Sequence, residues 1–119
     1  MISIYKDTPV LELTYNDFTK KKINHSEFKN KNGLITFYAP WCIHCKKMRD
    51  KWIELAESFN DKFVISAINI EDFTVGNDKL LYTFQVKKYP TMFFVKKNKL
   101  IPYKETNIDN IIYFIWNNL

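Results

Sequence analysis

The run that decides the fold of this chain is Phe37-Tyr38-Ala39-Pro40-Trp41-Cys42-Ile43-His44-Cys45-Lys46. The segment Leu34–Ala39 is mostly apolar, with β-branched and aromatic residues, which is typical of a strand covered on both faces. After Cys45, apolar residues recur at spacings of three and four, which predicts a helix with one buried face. They are Met48, Trp52, Leu55, Ala56 and Phe59. The two cysteines therefore stand where a buried strand ends and a helix begins.

Cys42 and Cys45 are separated by two residues, so at the start of a helix they can close a disulfide across one turn. The amino end of the helix stabilises negative charge on the first sulfur, which makes Cys42 the predicted nucleophile. It would attack a substrate disulfide to give a mixed disulfide, which Cys45, less exposed and one turn further in, would then resolve. The spacing predicts thiol–disulfide exchange that needs both sulfurs.

His44 lies between the two cysteines. When protonated, its imidazolium adds to the stabilisation of the Cys42 thiolate, which favours the reduced state of the pair. The disulfide is then the better oxidant. We therefore expect a reduction potential closer to the roughly −180 mV of disulfide isomerases than to the roughly −270 mV of thioredoxins.

Two other uses of the cysteine pair are less favoured. Zinc also binds such pairs, with His44 or His25 as conceivable further ligands, but no second cysteine pair exists and a fourth protein ligand is hard to find. A purely structural disulfide would close so short a loop that it would remove little entropy from the unfolded chain. We predict no metal site.

The remaining periodicity predicts alternating strands and helices in the order β-α-β-α-β-α-β-β-α. A first strand over Val10–Thr14 is followed by a helix that Thr14 or Asn16 caps and that runs to about Lys29. The later predicted elements are a strand over Phe63–Ile70, a short helix over Lys79–Val86 and a strand over Thr91–Val95. They are followed by an edge strand over Lys99–Glu105, which contains Pro102, and by a last helix capped by Thr106 or Asn107. The apolar face of this last helix uses Ile108, Ile111, Ile112, Ile115 and Leu119.

Length and composition favour one domain over residues 1–119, because 119 residues with 46% apolar content fill a single core. The net charge is +5, but the lysines are spread along the chain and Arg49 is its one arginine, so we expect no nucleic-acid partner. No signal peptide or membrane span is visible. We expect a soluble protein without a membrane partner, cytoplasmic if the chain is complete and lumenal in the secretory pathway if a signal peptide was removed.

The run from Phe37 to Lys46 resembles the catalytic domains of protein disulfide isomerases, within the wider thioredoxin family. Tyr89-Pro90-Thr91 lies about where that family carries its cis-proline, and the order of elements agrees over nearly the whole chain. The resemblance implies a three-layer α/β thioredoxin fold with a mixed central sheet flanked by helices.

The resemblance also implies roles for individual residues. Pro90 would be cis and face the disulfide, and the backbone of Tyr89 would pair with an extended substrate segment. Trp41 would shield one side of Cys42 and offer an aromatic contact. With Ile43 at the rim and Thr91 beside the proline, these residues form the predicted substrate-binding surface.

Several residues depart from the family pattern. Ile43 replaces a glycine of the isomerases, and Asp50 replaces the proline that kinks the helix in most relatives. Thr36 occupies the place of the buried acid and Ala67 that of its lysine partner, while no arginine is available near Asn107. We expect these changes to leave the fold and redox activity in place and to weigh against fast turnover.

The resulting hypothesis is a thiol–disulfide oxidoreductase of the disulfide-isomerase type, relatively oxidising, that works without a bound organic cofactor. Its partners would be protein thiols and disulfides together with a redox recycling partner, and a monomer is favoured. The alternative is a redox-gated binding module, in which Cys42 captures a partner and Cys45 releases it slowly.

Overall fold

The computed structural model describes residues 2–119 and contains seven strands and three α-helices. Among these residues, no helix has both the length and the apolar character needed to cross a membrane. The strands are β1 (Leu11–Leu13), β2 (Phe18–Thr19), β3 (Lys22–Ile23), β4 (Gly33–Tyr38), β5 (Val64–Asn69), β6 (Thr91–Lys96) and β7 (Lys99–Tyr103), and the helices are α1 (Ile43–Ser58), α2 (Leu80–Thr83) and α3 (Ile108–Trp116).

The strands form one mixed sheet in the order β1-β5-β4-β6-β7-β3-β2. The pairs β1–β5 and β4–β5 are parallel, and the pairs β4–β6 and β6–β7 are antiparallel. A parallel neighbour needs a crossover connection, and α1 supplies it between β4 and β5. The predicted α/β architecture with a mixed central sheet is confirmed.

Helices cover both faces of this sheet, so every position of β4 is buried. On one face Phe94 of β6 packs against Phe114 of α3, with ring centroids 4.9 Å apart. On the other face Phe37 packs against Phe84, the residue after α2, at 5.9 Å. Trp52 of α1 is 1% exposed and its indole N–H donates to the carbonyl oxygen of Ser66, which ties α1 to β5.

The helix predicted from Thr14 or Asn16 to about Lys29 is wrong. Thr14 does cap a helical turn, since its backbone N–H bonds to the Asp17 carboxylate, but that turn is a 3₁₀ segment of three residues. The chain then forms the β2–β3 hairpin, in which Phe18 pairs with Ile23 and Lys20 has a positive φ of 58°. Phe18 and Ile23 are five positions apart, so they would not be neighbours on one face of a helix. In the hairpin they pair with each other, and Ile23 is buried.

Three smaller predictions are corrected at the ends of elements. The helix over Lys79–Val86 is the four-residue α2, preceded by a 3₁₀ turn. The strand predicted at an edge, β7, pairs at Lys99 with β3, so only its later part, which contains Pro102, is free. Leu119 lies beyond the end of α3 and is 47% exposed, so it does not belong to the apolar face of that helix.

Candidate active site

The end of β4 delivers the chain to Cys42, which is the N-cap of α1. Its backbone is extended, with φ −74° and ψ 119°, and its sulfur accepts a hydrogen bond from the backbone N–H of Cys45 at 3.3 Å. The first turn of a helix leaves backbone N–H groups without helical partners, and here one of them points at the sulfur. Negative charge on Cys42 is stabilised by this bond and by the helix dipole.

The two cysteines differ in exposure in the predicted order. Cys42 is 6% exposed and Cys45 is fully buried, and both are free thiols. Burial, followed by the hydrogen bond to Cys42, raises the pKa of Cys45 to about 12. At neutral pH the inner sulfur is therefore protonated, while the outer one is slightly exposed and lines an open cleft.

The peptide bond between Tyr89 and Pro90 is cis, as predicted. It lies opposite the helix amino end, and the Cys42 thiol donates to the carbonyl oxygen of Tyr89 over 3.6 Å. Thr91 follows as the first residue of β6, paired with Phe37 of β4. The register between these two strands thus places the proline loop beside the cysteine pair.

An open cleft of about 490 Å³ surrounds Cys42. Trp41 and Ile43 form part of its wall and are 54% and 66% exposed. The Trp41 ring meets that of Tyr89 edge to face at 5.9 Å, and its indole N–H donates to the Glu71 carboxylate at 2.6 Å. His44 is exposed on the same wall.

The face of the sheet under α1 has no acid at the two positions singled out by the sequence. Thr36 and Ala67 are adjacent in register on β4 and β5, and both are fully buried. Within residues 2–119 the Thr36 hydroxyl finds no hydrogen-bond partner. The next strand outward, β1, places Glu12 beside Ala67.

Glu12 is a residue that the sequence analysis overlooked. Its carboxylate accepts a hydrogen bond from the Tyr38 hydroxyl at 3.0 Å, and that hydroxyl also lies 3.1 Å from the side-chain oxygen of Ser3. Burial raises the pKa of Glu12. Tyr5, 1% exposed, packs edge to face on Tyr38 at 5.3 Å. The alternation within Val10–Thr14, which directs Glu12 away from Leu11 and Leu13, was the available signal.

A second depression, which we call the lysine groove, runs from the cleft between α1, the start of β6, the end of β7 and the start of α3. Its volume is about 590 Å³, and Pro90 and Thr91 line it rather than the cleft at Cys42. It could not be recognised from the sequence because its lysines come from three separate elements or loops. They are Lys47, Lys51, Lys88 and Lys104.

The structure thus gathers Trp41, Ile43, His44 and Tyr89 around Cys42 and places Pro90 and Thr91 next to them. Across residues 2–119, no three His, Cys, Asp or Glu side chains are grouped so that they could hold a metal ion.

Comparison with known proteins gives a consistent result. The family model described as thioredoxin matches residues 9–115. Protein disulfide-isomerase 1 of Caenorhabditis elegans is 36% identical over 94 residues, which make up 79% of this chain and 18% of that protein. Protein disulfide-isomerase A2 of Mus musculus is 35% identical over 101 residues, which make up 82% of this chain and 18% of that protein. The chain therefore spans less than a fifth of the length of these relatives.

Among solved structures, the chain is similar to the germline-specific thioredoxin Deadhead of Drosophila melanogaster. The TM-score is 0.64 at 23% sequence identity, and the match covers 76% of this chain and 84% of that one. At 23% identity, this similarity shows that the two chains share a fold.

Proposed function

This chain belongs to the thioredoxin family, and from that premise we propose that it exchanges thiols and disulfides with other proteins through Cys42 and Cys45. One observation carries the proposal: the Cys42 sulfur accepts a hydrogen bond at the amino end of α1 and faces the carbonyl of Tyr89, while Cys45 lies buried behind it. A nucleophile that lines an open cleft and a protected second thiol fit the two-step reaction.

In the first step the Cys42 thiolate attacks one sulfur of a substrate disulfide. The S–S bond of the substrate breaks, a new S–S bond joins Cys42 to the substrate, and the other substrate sulfur leaves as a thiolate that takes up a proton. Trp41, Ile43, Tyr89, Pro90 and Thr91 form the proposed contact surface for the substrate. The exposed rings and alkyl groups offer apolar area, and the backbone next to the cis bond offers hydrogen bonds to an extended segment.

In the second step Cys45 loses its proton and attacks the Cys42 sulfur of the mixed disulfide. The intermolecular bond breaks, the substrate leaves as a dithiol, and the Cys42–Cys45 disulfide forms, so two electrons have passed to the substrate. The reverse sequence oxidises a dithiol substrate. A recycling partner sets the direction by restoring one form of the pair.

We further propose that the pair is relatively oxidising and acts as a disulfide isomerase. His44 supports this, because it is exposed in the first turn of α1, where a positive charge favours the Cys42 thiolate and hence the reduced form. The identities of about 35% to two protein disulfide-isomerases point the same way.

The test is a pair of assays on the parent chain, Cys42→Ser and Cys45→Ser. We expect the parent to equilibrate with glutathione and to restore activity to a substrate protein with scrambled disulfides. Cys42→Ser should fail in both assays, and Cys45→Ser should accumulate mixed disulfides. If the parent exchanges with neither glutathione nor the scrambled protein, the proposed function is wrong.

One feature favours the alternative of a binding module that captures partners through Cys42. Cys45 is buried with a raised pKa, and the position of the family's buried acid holds Thr36. Both make the resolving step slow. A mixed disulfide that survives for many minutes with the parent chain, measured by non-reducing electrophoresis, would support capture over turnover.

A further inference from the structure

We propose that the lysine groove binds the substrate segment that flanks the reactive cysteine, and that it selects segments carrying acidic side chains next to a bulky apolar one. This inference rests on the proposed exchange reaction, since it names the class of polypeptide that the same site receives.

The groove is continuous with the cleft at Cys42. His44 and Tyr89 line both depressions, and Lys88 reaches both as well. A polypeptide whose cysteine meets Cys42 therefore has a path over these residues into the groove. Its volume of about 590 Å³ lies within the usual range for ligand-binding pockets.

The charge on the groove has one sign. Lys47, Lys51, Lys88 and Lys104 line it and are exposed, and no Asp or Glu does. Within residues 2–119 the ion pair present is Arg49–Asp50, so none of the four lysines is neutralised by a carboxylate of the chain.

The carboxylate nearest in sequence to Lys104 is also committed elsewhere. Glu105 accepts hydrogen bonds from the backbone N–H groups of Thr106 and Asn107, which lowers its pKa. Four free cations around one depression leave a positive potential that an acidic segment would complement.

The floor of the groove is apolar. Met92, Trp52 and Ile111 are buried beneath it, and Met48, Tyr103 and Ile108 are partly exposed along it. An apolar side chain that covers these residues gains by leaving water. A segment with one bulky apolar residue between acidic ones satisfies both the floor and the rim.

The chemistry of the rim favours a polypeptide over a nucleic acid. No arginine lines the groove, although arginine provides the bidentate contacts typical of phosphate and base recognition. The neighbouring cysteines also exchange with thiols and disulfides, which are groups that polypeptides contain.

The groove is tested by peptide binding without any redox step. Two fluorescent peptides with serine in place of cysteine share one tryptophan and differ by three Glu against three Gln. By fluorescence anisotropy, the parent should bind the Glu peptide about 3- to 10-fold more tightly at low ionic strength, and the ratio should approach one near 0.5 M salt because surface charges are then screened.

Two double variants remove equal charge at different places. Lys51→Gln with Lys104→Gln should reduce the preference for the Glu peptide by about threefold or more. Lys29→Gln with Lys62→Gln is the control, because these lysines precede β4 and β5, lie outside the groove and change the net charge equally. The control should keep the parent's preference, and circular dichroism verifies that both variants fold.

The proposal is overturned if the parent does not distinguish the two peptides, or if the control loses the preference as fully as the groove variant. It is also overturned if a single-stranded oligonucleotide displaces the Glu peptide at lower concentration than a second acidic peptide does. Exchange with glutathione, measured on the same samples, separates the two hypotheses. Normal exchange without peptide preference refutes the groove alone, and peptide preference without exchange refutes the reaction.

Discussion

The backbone N–H of Cys45 donates a hydrogen bond to the sulfur of Cys42 over 3.3 Å, so the two thiols are linked through the first turn of α1. The same turn separates their environments. One sulfur receives a donor and the field of the helix, and the other is enclosed by the core, where ionisation is costly.

Alkylation should therefore distinguish the two cysteines. In the reduced protein near pH 7, iodoacetamide should modify Cys42 at least about a hundredfold faster than Cys45, because only thiolates react and the pKa of Cys45 is raised to about 12. Peptide mass spectrometry after timed quenching measures both rates. Faster modification of Cys45 would reverse the assignment of nucleophile and resolving thiol.

Replacing His44 with proline should lower the reduction potential. The substitution removes an imidazole that, when protonated, favours the Cys42 thiolate. Proline is tolerated in the first helical turn, where the backbone N–H has no helical partner. We expect a decrease of roughly 30 mV or more, a tenfold shift of the equilibrium, in a glutathione titration. His44→Asn separates the loss of charge from the rigidity of proline. An unchanged or higher reduction potential in both variants would mean that His44 does not favour the reduced form of the pair.

Resolution of the mixed disulfide should accelerate with pH. Once Cys42 is in that bond its own thiol no longer acts on Cys45, but burial still raises the pKa of Cys45 above the ordinary value of 9.0. The reactive thiolate fraction, and with it the rate, should rise by about tenfold per unit between about pH 6 and pH 8. Stopped-flow fluorescence of Trp41 follows the step, with Cys45→Ser as the control that does not resolve. A rate independent of pH would mean that a group in the protein takes the proton.

Restoring an acid under the site should change that pH dependence. Thr36→Glu combined with Ala67→Lys places a charge pair on adjacent positions of β4 and β5 and should speed resolution near pH 7 while flattening its pH profile. Thr36→Glu alone should destabilise the fold by about 2 kcal/mol or more, since it buries an unpaired carboxyl group. Ala67→Lys alone should be milder, because Glu12 lies beside it on β1. If the folded double variant resolves no faster than the parent, proton transfer does not limit the step.

Glu12→Gln should stabilise the fold at neutral pH and leave it nearly unchanged at acid pH. Burial raises the pKa of Glu12 in the folded state, so its stabilising contribution is complete below the unfolded pKa and is lost as pH rises through the folded one. Glutamine keeps an acceptor for the Tyr38 hydroxyl and avoids the cost of a partly buried charge. Urea unfolding should show a gain of roughly 1 kcal/mol or less near pH 7. The exposed Glu57→Gln is the control, and an equal gain for Glu12→Gln at every pH would contradict the argument.

The central part of the fold was predictable because its signals are local and agree with one another. The cis bond at Tyr89-Pro90, which the resemblance to the family implied, is present in the structure. The apolar run of β4 and the three-and-four spacing after Cys45 predicted a buried strand and a helix, and the structure contains both. Each depends on residues close in sequence, so a single chain is enough to read it.

The segment after Thr14 could not be predicted in the same way, because its outcome depends on distant partners. Thr14 begins a helical turn as expected, but Phe18 packs on Phe84 and Ile23 closes the hairpin, and these contacts outweigh a weak helical preference. The acid near the site was hidden for a related reason. Glu12 approaches Ala67 only through the β1–β5 register, which no local pattern specifies.

The hydrogen bonds of the amino-terminal residues matter for how a recombinant fragment is trimmed. Similarity to the family begins at residue 9, yet Ser3, Ile4 and Tyr5 contact the active-site side of the sheet: Arg49 donates to the Ile4 carbonyl at 2.7 Å, and Tyr5 packs on Tyr38. A fragment cut at the family boundary would keep both cysteines and every strand. It would nevertheless uncover Tyr38 and leave the Arg49 side chain without its carbonyl partner. Residues 3–5 therefore belong to the packed structure around α1, although they lie outside the family match.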